Sequence, residues 1–193
     1  MTRSLLLLLG IALLALFLLQ ASMFTVAENE QVLVTEFGRI SGSAQSPGLH
    51  WKKPFVQDVH SFDKRWLEWD GSPNQIPTRD KKYIWVDVFA RWRIADVVKF
   101  YKRLRDEQSA QSRLDDIIDG EVRNVVANHD LIDIVRTSSR KFDREEELEA
   151  MENESVFIPT VGRERIAQLV LEKAAHVMPD YGVELADVKI KRV

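Results

Sequence analysis

Tyr83-Ile84-Trp85-Val86-Asp87-Val88-Phe89-Ala90-Arg91-Trp92-Arg93-Ile94 is the stretch that decides the fold. Ile84, Val86, Val88, Ala90 and Trp92 fall on one face, while Tyr83, Trp85, Asp87, Phe89 and Arg91 fall on the other. Alternation with period two over this length marks a strand with one side against a core. The polar run Arg79 to Lys82 predicts the turn that leads into it. After Ile94 the period changes: Val97, Val98, Tyr101 and Leu104 recur at helical spacing, with Asp96 placed to cap the helix N-terminus.

Beyond this strand the chain reads as helical. Leu114, Ile117, Ile118, Val122, Val125 and Val126 form an apolar stripe, and Ile166, Leu169, Val170, Ala174 and Val177 form a second that stops at Pro179 and Gly182. Between them Asp143 and Glu146 suit a capping pair for a charged, surface-exposed helix through Glu154. Val188, Ile190 and Val193 suggest a closing strand. Upstream, Gln31 to Phe37 alternates as a strand, Gly42 to Gly48 reads as a loop, and Leu49 to Phe55 and Val59 to Trp69 read as two more strands. The second of these is closed by the pair Asp70-Gly71. Strands first, then helices, then a strand is an α+β order, without the strand-helix alternation of a nucleotide-binding sheet, and no internal repeat is present.

The N-terminus has a different character. From Ser4 to Ala27 no residue is charged, a stretch of about 24 residues that covers the ~30 Å hydrocarbon layer at about 1.5 Å per residue. Leu5 to Leu19 is its deep part, and Leu5, Leu9, Leu13, Leu16 and Leu19 are the expected anchor positions. A cleaved signal peptide fits poorly, because the small residues needed before a cut lie far beyond the apolar core. Arg3 precedes the span and Glu28 and Glu30 follow it, so the N-terminus is expected in the cytoplasm and the bulk outside. The expected organisation is a cytoplasmic segment 1–3, a transmembrane anchor 4–27 and one domain 28–193.

Composition narrows the chemistry. The 193 residues include no cysteine, which removes disulfides, thiolate metal sites and cysteine nucleophiles. A net charge of −3 lacks the basic excess of a nucleic-acid binder. His50, His60, His129 and His176 lie far apart, with none of the spacings of a helical metal pair. No serine sits in a Gly-x-Ser-x-Gly elbow and no glycine-rich loop precedes a helix. The carboxylates from Glu145 to Glu154 read as a charged helix face, so no catalytic, cofactor-binding or metal-binding residue is assigned. The strand region is rich in aromatic side chains, which are expected chiefly in the core. Trp51 and Phe55, flanked by Lys52 and Lys53 and close behind the apolar segment, are candidates for the membrane interface.

Several motifs occur in a telling order. Glu30 through Arg39 ends in Phe37-Gly38-Arg39; Pro47-Gly48-Leu49-His50-Trp51-Lys52-Lys53-Pro54-Phe55 follows; then come Phe62-Asp63-Lys64-Arg65, Trp69-Asp70-Gly71 and Thr78-Arg79-Asp80-Lys81-Lys82. Val86-Asp87, Arg91 through Ile94, Gly162-Arg163-Glu164, Tyr181 through Glu184 and Asp187 through Arg192 complete the series. In this order they resemble the SPFH (stomatin, prohibitin, flotillin, HflK/HflC) or band 7 family, and within it the HflC branch. The near-terminal anchor is similar to that branch, whereas HflK-type members carry a long tail before their span and stomatins insert as a hairpin with palmitoylated cysteines.

The resemblance implies a non-enzymatic scaffold subunit with no cofactor. It implies assembly with an HflK-like subunit into a large homo- or hetero-oligomer on the outer face of the bacterial inner membrane, around the ATP-dependent protease FtsH, whose activity it modulates. Members of the family continue into a long coiled coil, which this sequence lacks, so a fragment or a short variant is expected. A general organiser of membrane microdomains, with lipids and its own copies as partners, is the competing reading. A tethered hydrolase using the carboxylates or histidines is the third.

Overall fold

The computed structural model describes residues 2–44, 46–135 and 161–192. Helix α1 (Thr2–Ala21) is followed by strands β1 (Met23–Val26), β2 (Glu30–Glu36), β3 (Arg39–Ala44), β4 (Gly48–Trp51), β5 (Gln57–Asp63), β6 (Leu67–Asp70), β7 (Asn74–Pro77) and β8 (Tyr83–Ile94). Helices α2 (Val97–Arg103), α3 (Glu107–Ala127), α4 (Leu131–Val135) and α5 (Arg163–Val177) come next. A 3-10 turn (Met178–Tyr181) then leads into β9 (Val183–Arg192). The fold is α+β, with strands first and helices later.

Strand β8 organises the body. β6 and β7 run antiparallel to it from Leu67 opposite Trp92 to Pro77 opposite Tyr83. β9 pairs with it from Asp87 opposite Arg192 to Ile94 opposite Val183. Since β6 and β9 both pair with Phe89 to Trp92, and a strand has two edges, they flank β8 on opposite sides. Alternation along β8 follows from this: Val86, Val88, Ala90, Trp92 and Ile94 are buried, while Tyr83, Trp85 and Arg91 face solvent. The buried face meets Leu114, Ile118 and Val122 of α3 and Ile166, Val170 and Ala174 of α5 in one hydrophobic core.

Local signals set the joints between elements. The extended backbone of Asp96 lets its carboxylate accept from the amides of Val98 and Lys99, each at 3.0 Å, which starts α2. Asp106 does the same for α3 through Ser109 N at 2.7 Å. Gly182 ends the 3-10 turn at φ +72, and its carbonyl accepts from the amides of Ala95 and Asp96. A Cβ there would lie 2.3 Å from the Asp96 carbonyl oxygen, so only glycine fits where the last strand passes the start of α2.

Four expectations need correction. The stretch expected to reach Ala27 leaves the helix at Ala21, where the Ser22 hydroxyl donates to the Leu18 carbonyl at 2.7 Å and Met23 to Val26 pair with β4 instead. Gly42 belongs to a strand, since β3 runs to Ala44 with Gly42 opposite Val34 and a bulge between Val34 and Thr35. The segment Val59 to Trp69 is two strands, because Asp63 turns back to accept from the Arg65 amide at 2.8 Å and from its guanidinium. Asp70-Gly71 does not close a hairpin; β6 continues past it into β7, which was not expected, along the same edge of β8. Gly71 is needed there because the Trp69 indole lies over it, 2.6 Å from where a Cβ would be. The charged segment from Asp143 to Glu154, and Val193, lie outside the described residues.

The burial of β2 also differs from simple alternation. Gln31, Leu33 and Thr35 form the face turned to the core, although two of them are polar. Gln31 Nε2 donates to the Ile94 carbonyl at 3.0 Å and the Thr35 hydroxyl pairs with His60 Nε2 at 3.1 Å, which removes the cost of burying them. Val32, on the opposite face, is buried outside the main core, as is Val26 of β1.

Candidate membrane-facing surface

Among the described residues nothing covers helix α1. Its large apolar side chains from Leu5 to Leu19, including Leu9, Leu13 and Leu16, are between 39% and 70% exposed. A helix apolar all round is stable only inside protein or lipid. Its backbone from Thr2 to Ala21 is about 30 Å long at 1.5 Å per residue, of which the described side chains, from Leu5 on, cover about 25 Å. Among the described residues no helix is long and apolar enough to cross a membrane.

The chain leaves α1 directly into a two-stranded ribbon. Met23 stands opposite Trp51 and Val26 opposite Gly48, and the Lys52 amide donates to the Ser22 carbonyl at 2.7 Å. The helix end and the Trp51-Lys52 segment are thereby held side by side. Phe24 stacks on His50 across the ribbon with ring centroids 5.6 Å apart. The His50 ring is also held by the Ser46 carbonyl at 2.9 Å.

A polar clamp continues the surface. Glu36, at the end of β2, faces both Arg39 of β3 and Gln57 of β5. It accepts from Gln57 Nε2 at 3.0 Å and from Lys53 Nζ at 3.2 Å, and these donors, Gln57 first, hold its carboxyl below the usual range. The clamp joins the turn after β2 to the segment before β5, and each of these presents an aromatic ring. Phe37 (φ +49) and Phe55 (φ +62) are both 82% exposed. Left-handed backbone is uncommon for bulky residues, and leaving a large apolar ring in water carries a separate hydrophobic cost. Trp51 at 64% and Leu49 at 58% exposed add two more large apolar side chains, and Lys52 and Lys53 follow Trp51 in sequence.

Trp51 and Phe55 were legible in the sequence; Phe37 and Leu49 were not singled out, although the Phe37-Gly38 turn dipeptide carried a signal. Of the other aromatic residues, Trp69 and Trp92 go to the core, while Trp66 lies under the Arg93 guanidinium at 4.6 Å. The histidines are not brought together. His60 sits between Thr35 and Tyr101, and His129 Nδ1 contacts the Val125 carbonyl at 2.7 Å. His176 is in the last turn of α5. Among the described residues no three histidines or carboxylates are grouped to hold a metal. Glu145 to Glu154 lie outside the described residues. A groove of about 520 Å³ runs between α5 and β9, but its Asp187 is engaged by Arg91 at 2.7 Å.

An α+β domain entered from an uncovered apolar helix is the class the architecture defines. The chain belongs to the SPFH domain / Band 7 family, whose sequence pattern matches residues 24–193. It is 35% identical over 176 residues to Protein HflC of Borreliella burgdorferi, covering 88% of this chain and 54% of that protein. It is 34% identical over 182 residues to Protein HflC of Treponema pallidum, covering 88% of this chain and 55% of the relative. Similarity to the protein named Modulator of FtsH protease HflC in Escherichia coli strain K12 is 26% over 207 residues, with 95% of this chain and 62% of the relative covered. It is therefore an HflC-like SPFH protein that spans between 54% and 62% of the length of these relatives.

Proposed function

We propose that this chain is the membrane-proximal part of a scaffold subunit that assembles with an HflK-like protein and modulates the membrane protease FtsH. α1 anchors it as a single span with the N-terminus cytoplasmic and residues 28–193 on the outer side of a bacterial inner membrane. Trp51 and Phe55, joined by Phe37 and Leu49, seat the domain in the interface, where aromatic rings are favoured. The observation that carries the anchoring is an apolar helix exposed on all sides, delivered by a hydrogen-bonded junction to an exposed aromatic surface. The name of the Escherichia coli relative carries the protease-modulating role. The role is non-enzymatic and needs no cofactor.

Affinity purification of the full-length parent protein in mild detergent tests this reading. Recovery of FtsH together with an HflK-like subunit is expected. Recovery of self-assemblies and lipid alone would transfer the weight to a microdomain organiser, which the aromatic surface also suits. A tag at Val193 reachable only from the cytoplasm would overturn the topology.

A further inference from the structure

Strand β9 lies at the edge of the body. One side of it pairs with β8, and among the described residues no strand lies along the other. An unpaired edge ten residues long presents a row of backbone donors and acceptors, a template for another strand. This edge opens onto a groove. α5 turns into β9 through the 3-10 turn, and Arg163 at the start of α5 donates to the Ile190 carbonyl near the far end of β9, so helix and strand run antiparallel. Two cavities follow one another between them. One of about 520 Å³ sets Ala167 and Leu171 against Val188 and Ile190, and one of about 350 Å³ sets Ala175 against Leu185. Ile166, Val170 and Ala174 of α5 enter the core. Ala167, Leu171 and Ala175 each follow one of them, about 100° further round the helix, and so face along the sheet edge. Two of these three are alanine, and the room their short side chains leave forms the groove.

The charges around the groove are unevenly matched. Four carboxylates line it, and each has a partner. Asp187 accepts from Arg91 at 2.7 Å, and Arg91 foremost, with Lys189 adding more weakly, holds its carboxyl below the usual range. Glu184 accepts from Arg93 at 2.8 Å, Asp96 caps α2, and Glu164 sits in the first turn of α5, where the helix dipole favours an anion. Three cations have no carboxylate in contact among the described residues. Lys99 lines the cavity beside Ala175, Lys189 lines the one beside Ala167, and Arg163 spends its guanidinium on a neutral carbonyl. The charge left to be matched is positive.

We infer that the free edge of β9 takes up an extended peptide segment of another protein, one that alternates apolar with acidic residues, as an added strand in the groove beside α5. Main-chain hydrogen bonds to the strand edge supply the attachment, and pockets for alternate side chains supply the selectivity. Successive side chains of an added strand point to opposite faces. One set therefore enters toward Ala167, Leu171 and Ala175. The other shares the solvent face with Lys189, which stands opposite Phe89 on β8. Lys99 and Arg163 stand at the two ends of the groove and favour a carboxylate there. Neither α1 nor a second copy of the chain takes part.

The test is selection of phage-displayed random ten-residue peptides, the length of β9, on the full chain in mild detergent. The strongest binder is then synthesised with a fluorescent label and its affinity read by anisotropy. Enrichment of alternating apolar and acidic residues is expected. N-methylation of every second amide of that peptide should weaken binding roughly tenfold or more in one register and leave it nearly intact in the other, because only one set faces β9. Ala167→Trp fills the groove and should abolish binding. Thermal unfolding checks that this variant folds, and if it does not, Lys189→Glu, on the exposed face, should still weaken binding about fivefold, and more at low salt. Selection that yields no acidic and apolar pattern overturns the inference. So does a peptide equally sensitive to both N-methyl registers, or one that binds the folded Ala167→Trp chain as well as the native one.

Discussion

Trp92 and Trp51 both occupy strands, yet Trp92 is 0% exposed and Trp51 is 64% exposed. The difference lies in what covers each strand. β8 has β6, β7 and β9 along its edges and α3 and α5 over its inner face, so every second side chain enters one continuous core. β4 has one partner, β1, in a two-stranded ribbon, and its Leu49 and Trp51 are left facing outward. A two-stranded ribbon has little stability of its own in water. Here it is held by α1, by the Lys52 amide and by the Glu36 clamp. The contrast is one of covering: the body encloses its apolar side chains, and the ribbon leaves Leu49 and Trp51 exposed.

Substitutions can break or sharpen this contrast. Trp92→Ala should cost about 4 kcal/mol in urea denaturation of the detergent-solubilised chain, because it empties a fully enclosed site. A loss no greater than that of Trp51→Ala would erase the distinction between body and ribbon. Gly182→Ala should cost about 3 kcal/mol by the same measurement, since positive φ and a blocked Cβ position act together. Retention of native stability would mean that β9 and α2 can separate without penalty. Asp96→Ala removes the cap of α2 and should cost about 1 kcal/mol.

Asp80 tests the turn below the body. Its carboxyl is lowered to about 2, first by the Thr78 hydroxyl, with Lys82 and the Leu131 amide adding to the effect against burial. A carboxyl depressed on folding stabilises above its unfolded value near ~4, and that stabilisation is lost as pH falls toward 2. Acid titration of Asp80→Asn should therefore show a shallower loss of stability over this window, and an identical acid limb would remove Asp80 from the account. The smallest stability effect belongs to the ribbon. Trp51→Ala with Phe55→Ala should change unfolding free energy by less than about 0.5 kcal/mol, while lowering tryptophan burial in lipid vesicles measured by quenching. Unchanged quenching would detach these rings from the membrane interface.

The elements with the longest period were the most legible. Tyr83 to Ile94 kept its boundaries, and Asp96, Asp106 and Gly182 stand at joints, two of which the sequence marked in advance. Short elements were harder. β3 contains Gly42 and Ser43 and β7 ends in Pro77, residues that favour turns; both form strands because β2 and β8 supply the ladder. The alternation of β2 was legible but the burial of Gln31 and Thr35 was not, since the partners that make them tolerable in the interior lie 63 and 25 positions away. Of the candidate surface, Trp51 and Phe55 could be proposed from aromatic residues beside lysines, but Phe37 joins them only when β2 and β5 pair.

By itself the sequence determined the uncharged apolar segment before Glu28, the α+β order, the central strand and its helices, and the family, because hydrophobic period, capping residues and ordered motifs are local properties of the chain. Tertiary structure decided which tryptophans are enclosed and which face out, and it placed Phe37 and Phe55 at one end of a sheet. Burial and proximity arise from packing between distant segments, and no local pattern contains them.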